Sequence, residues 1–128
     1  MDWLSEADVL AIHEEQIAEH GGATGVRDAG LLRSALARPR HAAAYADADV
    51  PRIAALYALG IVKNHPFVDG NKRVGAVLLE TFLDLNQLEL DVTDAAIVET
   101  ITALASGGLS EKAFIAWVKA HTRKQKAR

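Results

Sequence analysis

Six stretches of this chain repeat apolar residues at three- and four-residue spacing, and most of them open on a residue suited to starting a helix. Ser5-Glu6-Ala7-Asp8 reads as a capping box with aspartate in the glutamate position, and Leu4 and Val9 stand where a hydrophobic staple would close across it. The first helix should therefore run from Glu6 to about His20, with Val9, Ile12, His13, Gln16 and Ile17 at helical spacing and Gly21-Gly22 as its stop. Asp28 can cap a second, short helix through Leu31, Leu32, Ala35 and Leu36, ended by Pro39 because proline disfavours helix in its predecessor. The alanine-rich stretch from His41 to Asp49 is ambiguous on pattern alone.

Pro51 suits the first turn of a third helix, whose inward stripe would be Ile53, Leu56, Tyr57, Gly60 and Ile61 and which should end near Asn64. The most strongly patterned segment follows, with Val74, Val77, Leu78, Thr81, Phe82 and Leu85 on one face and Glu80 and Asp84 off it. It should be central, with its N-terminus left open. Thr93 can cap a fifth helix through Ile97, Ile101 and Leu104, closed by Ser106-Gly107-Gly108. Ser110 can cap a sixth, with Leu109 and Phe114 at staple spacing and Trp117 and Val118 beyond.

Between these lie two segments with weaker signals. Leu88-Glu89-Leu90-Asp91-Val92 alternates like a strand but is short and alone, so it reads as a connector. Arg123-Lys124-Gln125-Lys126-Ala127-Arg128 is basic with no apolar partner and reads as a frayed tail. No repeat, Gly/Ser linker or composition break divides the chain. The expectation is an all-α, compact single-domain bundle of about six helices over residues 1–122, with residues 123–128 as a basic C-terminal tail.

Composition narrows the function classes. A chain of 128 residues can bury a core without staples. With a formal net charge of −3, nothing in it suggests a surface for duplex nucleic acid. It has no cysteine, hence no disulfide framework, thiolate nucleophile or zinc–cysteine site. No signal peptide or long apolar span is visible, so a cytoplasmic, membrane-free protein is the expectation.

The chemistry concentrates in nine residues before the fourth helix: His65-Pro66-Phe67-Val68-Asp69-Gly70-Asn71-Lys72-Arg73. A helix N-terminus leaves backbone N–H groups unpaired and carries partial positive charge, so it attracts anions. Lys72 and Arg73 oppose that dipole unless an anion is bound, a local misfit that points to phosphate. An unperturbed histidine, with pKa about 6.5, can take a proton from an attacking hydroxyl near neutral pH, which makes His65 the candidate base. Asp69 can hold Mg²⁺ bridging phosphates, or simply cap the helix. Gly70 and Asn71 would offer backbone N–H groups and an amide as an anion cradle, though such a pair also marks any turn. Phe67 should anchor the loop, and Lys63 reads as a surface lysine. His13 and His20 read as structural, since two histidines seven residues apart do not make a metal site. A Walker A loop and an EF-hand are both absent.

This nine-residue string resembles the signature of the Fic/Doc superfamily: histidine, often proline, phenylalanine, any residue, an acid, glycine or alanine, asparagine, glycine or lysine, and arginine. The likeness extends to His20-Gly21-Gly22, Arg27-Asp28, Gly30-Leu31-Leu32, Ser34-Ala35-Leu36 and Pro39, which look like the N-terminal half of the Doc (death on curing) branch. The resemblance implies a compact bundle with the motif between two central helices. Members with glycine at the position of Lys72 mostly transfer AMP to a protein hydroxyl. Doc-like members have lysine there, which implies reversed nucleotide binding and transfer of the terminal phosphoryl group of ATP to a threonine of elongation factor Tu, halting translation. Here Pro66 and Gly70 follow the AMP-transferring pattern and Lys72 follows Doc.

By that resemblance His65 is the base, Asp69 the Mg²⁺ ligand, and Gly70, Asn71, Lys72 and Arg73 the phosphate cradle, with Lys72 and Arg73 also counted as catalytic. The implied inventory is ATP and Mg²⁺, a protein substrate and a small antitoxin. No built-in inhibitory segment occurs, in which serine or threonine stands four residues before a glutamate followed by glycine or asparagine, so restraint would come from outside. AMP transfer and a catalytically silent, antitoxin-binding module remain the alternatives.

Overall fold

The computed structural model describes residues 1–126, and its architecture is the expected bundle of helices. In order, the elements are α1 (Glu6–His20), α2 (Ala29–Tyr45), α3 (Val50–Asn64), α4 (Asn71–Leu85), β1 (Leu88–Leu90), α5 (Asp94–Ser106), α6 (Glu111–His121) and β2 (Thr122–Lys124). Local chemistry sets the starts. Ser5 Oγ accepts from the Asp8 N–H at 3.1 Å while the Asp8 carboxylate accepts from the Ser5 N–H at 2.8 Å, completing the box. Asp28, Thr93 and Ser110 cap α2, α5 and α6 as expected, and Asp49 caps α3 just ahead of Pro51.

The core forms around α3. Residues Ile53 to Val62 are buried on every side of that helix, a wider face than the stripe expected from periodicity. The reason lies in its neighbours, because α3 packs against α2, α4, α5 and α6. Two glycines set the closest approaches. A Cβ on Gly60 would lie 2.8 Å from that of Ala35 in α2, and one on Gly75 of α4 would lie 2.6 Å from a Val62 methyl. Tyr57 donates to the Leu4 carbonyl at 3.1 Å and meets Phe82 at 5.1 Å between ring centres, tying the chain start and α4 to α3.

Three expectations are corrected. α2 does not end at Pro39 but continues to Tyr45, with the proline buried inside it. Pro39 forfeits one helical hydrogen bond, yet side chains around it hold the helix. Arg38 pairs with Glu111 of α6 at 3.1 Å, Arg40 lies 4.7 Å over the Trp3 ring, and Ala42 and Ala43 pack on the core. The ambiguous alanine stretch thereby becomes helix through Tyr45.

The second and third corrections are one event. The segment read as a lone connector and the start of the segment read as a frayed tail pair as antiparallel strands, with Leu88 opposite Lys124, Glu89 opposite Arg123 and Leu90 opposite Thr122. Arg123 reaches both Glu89 and Asp91 at 3.0 Å, and the Gln125 N–H donates to the Gln87 carbonyl at 3.1 Å. Ala127 and Arg128 lie outside the described residues. No helix among the described residues is long and apolar enough to cross a membrane.

Candidate active site

The motif turn hangs between the C-terminus of α3 and the N-terminus of α4. His65 ends α3 in the left-handed conformation, φ 53°, with its N–H still bonded to the Ile61 carbonyl. A β-unbranched residue tolerates this at some cost, so the surroundings must hold it. Arg27 does so, its Nε donating to the His65 carbonyl at 2.7 Å and its Nη2 to that of Asn64 at 3.0 Å. A cation on the last carbonyls of a helix also suits the dipole. The N–H groups of Arg27 and Asp28 both donate to the Pro66 carbonyl, and the Val68 N–H donates to Gly25. Residues 25–28 thus run beside the turn as a brace.

Phe67 is fully buried and anchors the turn, as expected. Beneath it, Asn71 is only 3 % exposed. Its Oδ1 accepts from the Phe67 N–H, and its Nδ2 donates to the Phe67 carbonyl, both at 3.0 Å, and to His65 Nδ1 at 3.1 Å. The side-chain amide is therefore turned into the loop, not out to the cradle expected of it. Because Phe67 fixes which way that amide points, His65 Nδ1 is the acceptor and the neutral ring carries its proton on Nε2. Receiving a proton at Nε2 requires Nδ1 to carry one, so the contact with Asn71 must give way.

Asp69 stays at the surface. Its Oδ1 accepts from the Gly70 N–H at 2.8 Å and its Oδ2 from the Ala23 N–H at 3.2 Å. The Ala23 and then the Gly70 N–H, with a smaller contribution from the positive charge of Arg73, hold its carboxyl below the usual carboxylate range. The group is ionised at neutral pH and keeps lone pairs for a cation. The room for it comes from Gly22, at φ 116°, where a Cβ would fall 2.7 Å from Asp69 Oδ2.

Gly70 opens α4 in the left-handed conformation, φ 78°, and supplies no side-chain cap. Lys72 is exposed, and Arg73 leans back with Nη1 at 3.5 Å from the Gly21 carbonyl, at the outer limit of a hydrogen bond. His65, Asp69, Gly70, Asn71, Lys72 and Arg73 border one hollow of about 460 Å³, closed on its far side by Val98, Ile101 and Thr102 of α5. Its volume lies in the range of small-molecule sites. A second hollow, about 380 Å³, sits toward the other end of α4 among Glu80, Asp84, Glu89 and Asp94. Its four carboxyl groups disfavour anions, and burial, with the charge of Asp94 after it, raises the carboxyl of Glu80 above its ordinary value.

No cluster of three metal-binding side chains exists among the described residues. One ionised carboxylate beside an anion-attracting helix start suits Mg²⁺ held partly by phosphate oxygens, since that ion commonly takes one or two protein carboxylates and completes its shell from substrate and water.

Other sequence candidates fall outside the hollow. The charge of Lys63 is felt by Glu111 on α6, and His20 pairs with Glu19 at 3.7 Å on the surface. His13 is different, because it packs directly on the turn, as do Gly22 and the brace residue Arg27. The sequence carries a signal for His13, since a polar ring on the inward stripe with Val9 and Ile17 requires a partner.

Comparisons with known proteins agree with the geometry. Residues 3–83 match a family model described as the Fic/DOC family. The chain is similar to Toxin Doc of Mycolicibacterium smegmatis, with 38 % identity over 92 residues covering 70 % of this chain and 68 % of that one. It is also similar to Protein kinase doc of Escherichia phage P1, with 28 % identity over 109 residues covering 84 % and 85 %.

Proposed function

The chain belongs to the Fic/DOC family, in its Doc branch, and from this premise we propose that it is a toxin of a toxin–antitoxin pair that moves the terminal phosphoryl group of ATP to a hydroxyl of a translation factor. The observation that carries the reading is the meeting, in one hollow, of an ionised Asp69, the uncapped start of α4 with two cations, and the ring of His65. A protein named as a kinase among the relatives agrees with it.

In this scheme the hydroxyl oxygen attacks the terminal phosphorus as the bond to the ADP oxygen breaks. His65 takes the hydroxyl proton, once its Nδ1 contact with Asn71 is released, and ADP leaves with the electron pair. The backbone N–H groups at the start of α4, with Lys72 and Arg73, balance charge on the phosphates. Asp69 would hold Mg²⁺, which supplies further neutralisation of phosphate charge when bound.

We read the mixed signature in favour of Lys72. Pro66 gives its carbonyl to Arg27 and Asp28. Gly70 is needed for its positive φ and because a Cβ there would sit 3.2 Å from Ile17 Cδ1. Gly70 thus has a reason in packing, while the Pro66 carbonyl is one that any residue would supply, and we give Lys72, a long cation at the site, the greater weight for nucleotide orientation. AMP transfer is the competing outcome. The restraint we assign to a small antitoxin, and the target to elongation factor Tu in the cytoplasm.

The test is the intact mass of elongation factor Tu after incubation with the purified protein, ATP and Mg²⁺. A gain of about 80 Da supports phosphoryl transfer and one of about 329 Da shows AMP transfer instead, these being the formula masses of the two groups. No gain, with elongation factor Tu shown to be intact, overturns the assigned target. His65→Ala should lower turnover by about 10²–10⁴-fold while leaving the fold unchanged. A soluble His65→Ala protein that still modifies its target removes His65 as the base.

A further inference from the structure

His13 is buried, 3 % exposed, and the scheme above gives it no task. It lies on the inward face of α1, far from the motif in sequence. Its Nε2 is 3.0 Å from the carbonyl oxygen of Asp69, and its ring stacks on that of Phe67 at 3.9 Å between centres and 5° between planes. A carbonyl can only accept, so Nε2 carries a hydrogen and donates it. The edge of the same ring, with Ile17, faces Gly70, where a Cβ would lie 4.0 Å from His13 Cδ2. One side chain thus touches the turn at Phe67 and Asp69 and faces Gly70.

We infer that His13 is a positioning residue for the Asp69 carboxylate and for the Gly70 amide that bonds to it in the motif turn. The Asp69 carbonyl and the Gly70 N–H belong to one planar peptide and point in opposite directions. A donor that fixes the carbonyl therefore aims the N–H, which in this structure points at Asp69 Oδ1 at 2.8 Å. That contact in turn sets the rotation of the carboxylate. The stack on Phe67 supplies the lever's fixed end, since Phe67 is itself locked by both bonds to the Asn71 amide. A ring that only filled space would need no donor at this position. Support of this kind, one step removed from a ligand, typically changes metal affinity by tenfold or more when lost.

The consequence for Mg²⁺ rests on the function proposed above; the consequence for the order of the turn does not. Two variants separate the donor from the ring. His13→Phe keeps a ring for the stack and removes the donor, whereas His13→Gln keeps an amide donor and removes the ring. Amide hydrogen exchange in the nucleotide-free protein and Mg²⁺-dependent ATP binding are measured on both and on the parent protein. His13→Phe should exchange at least tenfold faster at residues 67–70, with the exchange of α3 unchanged, and need about tenfold more Mg²⁺. His13→Gln should recover part of each. Parent-like exchange in His13→Phe overturns the inference, as does equal loss in both variants accompanied by faster exchange throughout α3, which is the signature of packing alone. If the parent protein binds no Mg²⁺–ATP, the proposed function fails, while the exchange data still decide the role of His13.

Discussion

Five helix starts in this protein and the sixth obey opposite rules. α1, α2, α3, α5 and α6 each begin with a side-chain oxygen of Ser5, Asp28, Asp49, Thr93 or Ser110 accepting from a backbone N–H three residues on. α4 begins on a left-handed glycine with no such bond and places Lys72 and Arg73 in its first turn, where they meet the positive end of the helix. Five starts are finished by their own side chains, and the sixth leaves its first N–H groups open, as the proposed phosphate site requires. The difference teaches that an anion site is recognisable by what a helix lacks as much as by what it carries.

That contrast can be broken by experiment, and the heaviest blow falls beside the open start. Gly22→Ala forces a side chain into a positive-φ position and against the Asp69 carboxylate. We expect a loss of about 1–3 kcal/mol of stability from the backbone alone, with a marked rise in the Mg²⁺ needed for activity; denaturant unfolding and a Mg²⁺ titration read the two effects. At a finished start, Thr93→Ala should cost about 1 kcal/mol, because its Oγ1 satisfies the Ala96 N–H. Its turnover should match the parent, and a drop in turnover would show that α5 communicates with the hollow in a way the caps do not explain. The smallest effect is the most telling. Lys72→Glu puts a favourable charge at the α4 start and should raise the stability of the nucleotide-free protein by about 0.3–1 kcal/mol at low salt. The same change should abolish ATP binding. Lower stability in that variant would mean that α4 is not an unfinished start.

The helix starts were legible because a cap and the N–H it satisfies lie three residues apart. The motif turn was legible for the same reason, its residues being contiguous. What escaped depends on residues brought together by folding. Pro39 stays inside α2 because Arg38 and Arg40 are held by Glu111 and Trp3, partners that no local window contains. The strand pair joins residues 32–36 positions apart, so neither half alone showed its partner. α3 showed one stripe in sequence yet is buried all round, since small residues such as Ala54, Ala55 and Ala58 carry too weak a periodic signal to show a second face. At the site, the inward turn of Asn71 and the reach of His13 are tertiary facts. The residue types pointed to the phosphate chemistry proposed here; their division into exposed groups and hidden supports required the fold.

The two ends of α4 are also fastened at different moments of the chain's own history. Its motif end is braced by residues 13–28, which precede it in sequence. Just past its other end, Asn86 is tied to Asp2 by two hydrogen bonds, and residues 87 and 88 are gripped by Gln125. During synthesis from the N-terminus, every contact that shapes the motif turn is available once α4 has emerged. The Asp2 bonds are likewise available once Asn86 has emerged, but the grip of Gln125 waits for about 40 more residues, a delay of seconds at ordinary elongation rates. The pairing of β1 with β2 is thus the contact beside α4 that becomes available last.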